Sequence, residues 1–258
     1  MVNTSLTAYQ KVSNYSNFSK LYNEFLLQTT YLSQIEEAIA TLRDGKFVLV
    51  HDDKGREDEV DMVIAAEHVQ PQHVATMRND AGGLLCLAIA NEITVKLGLL
   101  YMHDIIQSLS NIHPIFSKLT SGKSPYGDKP SFSIAVNHRD TYTGITDADR
   151  ALTISKMAEV CKKIDSSGID EFAKNFRAPG HIPILIASKG LLQERMGHTE
   201  LCIYLTKLAR LIPAAAICEM LDSTTHMALP ASKAKKYADK SGIPLLEASQ
   251  LKTYTKAA

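Results

Sequence analysis

The sequence predicts an α+β fold, a mixed β-sheet covered by helices, and three observations carry that prediction. Short apolar runs that read as strands alternate with longer segments of helical periodicity. The alternation does not follow the strict βαβ repetition of a doubly wound sheet. A hydrophobic fraction of 45% over 258 residues is enough for one large core. A single domain is expected over 32–258, after an extension at 1–31 whose polar and aromatic residues show no clear period and suggest no function.

Taken in order, Ser33-Gln34-Ile35-Glu36 fits a capping box, Leu32, Ile35, Ala38, Ile39 and Leu42 recur at helical spacing, and Gly45 can close the helix. Strands are expected at 47–50 and 62–66, a short helix near 71–78, and a strand at 84–90 after Gly82-Gly83. The stretch 108–130, with Gly122, Pro125, Gly127 and Pro130, reads as an irregular excursion. Beyond it come a strand at 131–137, a helix at 147–162, a strand at 182–187, a helix at 199–211, a strand at 214–220 and a helix at 232–241. The charges of that last helix read as a solvated face.

Composition excludes several function classes. Lys+Arg and Asp+Glu balance at 28 each, so no global field recruits nucleic acid or an anionic membrane. No apolar run approaches the roughly 20 residues that span a bilayer, and the N-terminus MVNTSLTAYQ lacks the grammar of a signal peptide. The expectation is a cytoplasmic protein acting on a small molecule. Cys86, Cys161, Cys202 and Cys218 form no CxxC pair and are read as reduced thiols.

Between the first two strands lies HDDKGREDEVDM, six carboxylates and one arginine in twelve residues. In an extended backbone Glu57, Glu59 and Asp61 would share one face, with Arg56 and Asp58 on the other. Carboxylates that close repel unless a cation or shared protons neutralise them. A solvated loop and a cation site are both open readings, and hard oxygen ligands would favour Mg²⁺ or Mn²⁺ over zinc.

A second motif, RMGHTE, runs from Arg195 to Glu200. Gly197 lets backbone approach a ligand, His198 offers an imidazole, and Thr199 can cap the helix that begins there while the neighbouring N–H groups face an anion. A structural cap is the competing reading of His198. In FRAPGH, His181 follows a Pro-Gly turn and precedes a strand. In AAICEM, Glu219 stands inside an otherwise apolar strand, either as an acid/base group or in a salt bridge.

REDEVD, TGITDADR, FRAPGH, RMGHTE and ICEM, in this order and at these separations, resemble 3,4-dihydroxy-2-butanone 4-phosphate synthase, a family of riboflavin biosynthesis. The likeness covers about 32–241, and SFSIAVNHRDTYTGIT is similar to its archaeal branch. It implies a three-layer α+β fold, the monofunctional form, and a homodimer with active sites at the subunit boundary. It also implies conversion of D-ribulose 5-phosphate to L-3,4-dihydroxy-2-butanone 4-phosphate and formate, through an enediolate, with two divalent ions (Mg²⁺ or Mn²⁺) in each site.

Residue by residue, the resemblance makes Arg56 and Glu57 a substrate-binding pair and gives Glu57 and His198 to the metal. Asp61 would hold sugar hydroxyls, Glu59 would stand beside it, and Arg195, Met196, Gly197, His198 and Thr199 would receive substrate and phosphate. His181 and Glu219 match the catalytic positions, and Thr143, Thr146 and Arg150 are further candidates for the phosphate end. His181, with Thr146, is expected to reach across the two-fold axis, because FRAPGH follows DSSGIDEFAKN, which reads as a mobile segment. Cys86 matches a cysteine near the family's site, although apolar neighbours suit an inert thiol equally. Two departures stand out: Val60 where many members have glycine, and a less acidic Lys54-Gly55 lead-in. A sugar-phosphate aldolase or isomerase, and a non-catalytic cation site, are the alternatives from other classes.

Overall fold

The computed structural model describes residues 29–257 apart from 123, 125 and 126, so most of the expected extension lies outside the described residues. Helix α1 occupies 29–43. The helix is already formed at residue 29, so Ser33 and Glu36 lie inside it and the expected capping box is not its start. Of its expected apolar stripe Ile35, Ala38, Ile39 and Leu42 are buried, whereas Leu32, one turn earlier, is exposed.

Seven strands form one mixed sheet: β1 (Val48–His51), β2 (Val60–Ala65), β3 (Cys86–Ile89), β4 (Phe132–His138), β5 (Phe176–Ile186), β6 (Ala214–Glu219) and β9 (Leu245–Glu247), in the spatial order β4-β5-β3-β6-β2-β1-β9. Two short strands, β7 (Leu221–Asp222) and β8 (Met227–Ala228), pair separately. The β1–β9 and β3–β5 pairs are parallel and the remaining four antiparallel, which is the mixed pattern expected. Every residue of β1, β2 and β3 is buried, so the middle of the sheet is covered on both faces and strand alternation of polar and apolar residues disappears there.

The covering helices are α2 (Pro71–Thr76), α3 (Asn91–Lys96), α4 (Met102–Ser108), α5 (Ile115–Leu119), α6 (Asp147–Lys162), α7 (Gly168–Asn175), α8 (His198–Leu208), α9 (Ala231–Ser241) and α10 (Ala248–Ala257). Helix α8 packs across β1, β2, β3 and β6, while α6 packs on α2 and reaches β4, β5 and β6. One continuous hydrophobic cluster runs from Ile35 to Leu251. No helix among the described residues is long and apolar enough to cross a membrane.

Three expectations need correction. The polar DSSGIDEFAKN segment folds as α7, because Phe172 packs on the core beside Phe176 while its polar residues stay outside. The excursion 108–130 contains α5, a helix too short for its periodicity to show in the sequence. Helix α2 passes directly into a π-helical turn at Met77–Ala81, which ends at Gly82 in the left-handed conformation (φ 84°).

Candidate active site

The site forms where three adjacent strands end together. Strand β1 leaves the sheet at His51, the chain makes the acidic turn, and it re-enters as β2 with Asp61 directly opposite Glu219 of β6. The N-terminus of α8 stands over that junction and brings His198 down onto it.

Asp52 builds the turn. Its side chain is fully buried and accepts N–H groups from Glu57 (3.1 Å) and Glu59 (3.0 Å) and the Arg56 guanidinium (3.2 Å). Those bonds wrap the loop around one carboxylate, and Asp58 takes a positive φ of 55° to close it. The backbone is therefore turned rather than extended, and the expected one-face alternation of Glu57, Glu59 and Asp61 is replaced by convergence on one imidazole. His198 Nδ1 lies 3.2 Å from Glu57 Oε2, and Nε2 lies 3.1 Å from the Glu59 carbonyl and 3.7 Å from Asp61 Oδ1.

Burial alone would lower the His198 pKa, but Asp61, Glu57 and Asp52 together raise it to about 10. Burial lifts Asp61 to about 7; the His198 charge opposes that, while Glu219, Glu59 and Glu57 add to it. Asp61 Oδ1 is buried without a hydrogen-bond partner among the described residues. Glu59 is raised as well, by burial first and then by Glu57.

Glu219 is half-buried, and its carboxylate accepts the Leu84 N–H at 2.8 Å while its carbonyl accepts that of Gly83 at 2.9 Å. Among the described residues no lysine or arginine pairs with it, so the salt-bridge reading does not hold. Gly83 is required by this approach: a Cβ there would sit 2.4 Å from the Glu219 carbonyl and 2.5 Å from its Oε2.

Two guanidinium groups form the opposite wall. Arg56 contacts Asp52, Glu57 and Asp128, and Arg195 donates to the buried Glu200 carboxylate at 2.7 Å. Asp128 joins the two arginines, 3.0 Å from Arg56 Nε and 3.3 Å from Arg195 Nε. Arg195 Nε is buried and, among the described residues, has no acceptor in hydrogen-bond geometry. Gly197 begins α8, and no side chain caps the helix's first N–H groups.

Arg56, Glu57, Asp61, Arg195, His198, Thr199 and Glu219 together line a cleft of about 100 Å³. Glu59, Met196 and Gly197 do not line it: Glu59 meets His198 only through its carbonyl, Met196 packs on the core, and Gly197 caps the helix. The second expected group lies elsewhere. His181 is exposed on β5, Thr143 is exposed on the loop after β4, and neither lines the cleft. Thr146 caps α6 by accepting the Asp149 N–H at 3.1 Å, and Arg150 pairs with Asp147 at 2.9 Å. Cys86 is buried, and burial first, then the neighbouring charges of Glu219 and Asp61, drive its thiol pKa far up. Val60 is a fully buried strand residue paired with His51, so the departure from glycine adds core rather than altering the loop's chemistry.

Asp52, Asp128 and Glu200 were not assigned roles from sequence. Asp52 and Glu200 stood inside the recognised motifs, whereas Asp128, in the irregular excursion, carried no signal.

This arrangement can be compared with known proteins. The family profile for 3,4-dihydroxy-2-butanone 4-phosphate synthase matches residues 36–254. The chain belongs to that family. Its members convert D-ribulose 5-phosphate to L-3,4-dihydroxy-2-butanone 4-phosphate in riboflavin biosynthesis. The chain is 44% identical over 217 residues to the synthase of Methanothermobacter thermautotrophicus, covering 84% of this chain and 93% of the relative. It is 45% identical to that of Archaeoglobus fulgidus over 82% of this chain and 90% of the relative. A solved 3,4-dihydroxy-2-butanone 4-phosphate synthase in complex with two magnesium ions is similar at 28% identity and a TM-score of 0.71, over 87% of this chain and 97% of that one.

Proposed function

We propose that the cleft between the acidic turn, β6 and α8 is where this chain carries out the family's reaction, releasing formate, within the single domain 32–258 and in the cytoplasm. The observation that carries the reading is the convergence of His198, Glu57, Asp61 and Glu219 with two arginines in one cleft.

The donor set suits a divalent ion. Ligand atoms of Asp52, Glu57 and His198 lie within 4.8 Å of one another. Both Asp52 oxygens are engaged by N–H groups, which leaves Glu57 and His198 as the holders of Mg²⁺ or Mn²⁺. Such an ion, when bound, polarises a ketone and its neighbouring hydroxyl oxygens. The similar structure with two magnesium ions supports two ions in each site.

The remaining roles belong to the chain itself. Asp61, with a pKa raised to about 7, can hold or release a proton near neutrality and faces the sugar hydroxyls. Glu219, aimed by the Leu84 amide, exchanges protons with the carbon skeleton. The Arg195 guanidinium and the uncapped N–H groups at the start of α8 receive the phosphate, and Arg56 holds the same end.

His181 completes the site from a second subunit. Its exposed position outside the cleft, with Thr143 linked to it through the Asn137 amide, supports a homodimer in which each cleft borrows this group.

Purified protein given D-ribulose 5-phosphate and Mg²⁺ should release formate and stop in excess EDTA. Isomerised or cleaved sugar without formate would select the isomerase or aldolase alternative. Undiminished formate in EDTA would remove the metal from the reading.

A further inference from the structure

His181 is held by a residue to which neither the motif reading nor the proposed chemistry assigns a role. Strands β4 and β5 lose register beside it: Val136 pairs with Ile182 but Asn137 pairs with Arg177, so residues 178–181 bulge out opposite a single step of β4. Asn137 is buried beneath that bulge, 2% exposed. Its Oδ1 accepts the backbone N–H of His181 at 2.8 Å. Its Nδ2 faces the Thr143 carbonyl at 3.5 Å and the Nδ1 of His181 at 3.1 Å.

The two backbone contacts fix the amide's orientation. Only an oxygen can accept the His181 N–H, and only an N–H can face the Thr143 carbonyl, so a flipped amide would fail at both ends. The group facing the ring is therefore the NH₂, which has no lone pair to offer. At this distance Nδ1 must be the acceptor, and the proton of the neutral ring sits on Nε2. The approach also explains Gly144, at φ 96°: a Cβ there would lie 2.0 Å from Asn137 Nδ2.

We infer that Asn137 is a positioning residue that locks His181 in the Nε2–H tautomer and presents that N–H outward as a hydrogen-bond donor to a substrate oxygen. The inference deepens the reading of His181 as a catalytic group and rests on it. Among the described residues Nε2 has no partner, as a nitrogen kept for a ligand requires. In this tautomer the neutral ring enters the reaction as a donor to a developing negative oxygen rather than as a base.

The test is ¹⁵N NMR of the full-length labelled protein at about pH 8, where an ordinary imidazole is neutral, with His181 assigned by its loss in His181→Ala. The expected spectrum shows an unprotonated Nδ1 and a protonated Nε2. In Asn137→Asp the carboxylate can still accept the backbone N–H but offers the ring only acceptors, so the tautomer should invert to Nδ1–H. Asn137→Ala should lose about tenfold or more in kcat with KM changed less than about twofold, since the lost contact aims a group rather than binds ground-state substrate. A wild-type Nδ1–H tautomer, equal populations of both, an uninverted Asn137→Asp spectrum, or wild-type kcat in Asn137→Ala would overturn the inference. Full turnover in His181→Ala would instead defeat the catalytic reading beneath it, while the nitrogen shifts would still decide the tautomer.

Discussion

Glu219 and Gly83 show how one missing carbon sets a reactive group. The glycine lies where a Cβ would strike both the carbonyl and the carboxylate of Glu219, and the adjoining Leu84 N–H fixes the carboxylate's direction. Gly83→Ala should keep the fold, because the turn is at the sheet's end, yet lower kcat by about tenfold or more at little-changed KM. Steady-state kinetics and a thermal melt measure the two parts, and an unchanged kcat would mean that Glu219 needs no such aim. Asp52 works the same way at larger cost. Replacing its fully buried carboxylate in Asp52→Ala strands the Glu57 and Glu59 amides and should destabilise by about 2–3 kcal/mol, read from urea midpoints, while weakening Mg²⁺ binding in a direct titration.

The acidic turn is anchored to an element far from it in sequence. His51, the last residue of β1, is buried with Nδ1 2.6 Å from Glu247 of β9 and Nε2 3.0 Å from Asp58 of the turn. The hydrogen bond to Glu247 is the largest influence on its pKa and raises it; burial opposes, and Asp58 adds to the rise. A histidine whose folded pKa lies above its unfolded value of about 6.5 contributes stability fully present below that value and lost as pH rises through the folded pKa. The stability advantage of the wild type over His51→Gln should therefore be larger at about pH 6 than at about pH 9. Urea midpoints at both pH values provide the check, and a constant or growing difference would show that His51 is not charged in the fold.

Across the whole molecule, the reactive groups fall into two clusters, one in the cleft and one at His181 near the β4 edge of the sheet. Under the proposed dimer, mixing inactive His181→Ala subunits with inactive Glu57→Gln subunits should restore activity. Random pairing makes about half the dimers hybrid, and each hybrid holds one intact site, so about a quarter of all sites should work. Formate release after confirmed subunit exchange measures this. No recovery would place both residues in one chain's site.

The sequence by itself determined the covered strands, helix α6 from Asp147 to Lys162, and the residues that converge in the cleft. Each of these is written in local pattern: apolar runs, helical spacing, and motifs whose spacing matches a known family. It could not show that Asp52 is the hub of the acidic turn, since six neighbouring carboxylates look alike until one is buried against N–H groups. Nor could it pair Asp128 with the two arginines, or Asn137 with His181, 44 positions apart. Those contacts arise where strand register and chain reversal bring distant residues within about 3 Å, a distance set by hydrogen-bond geometry and decided only by the tertiary structure.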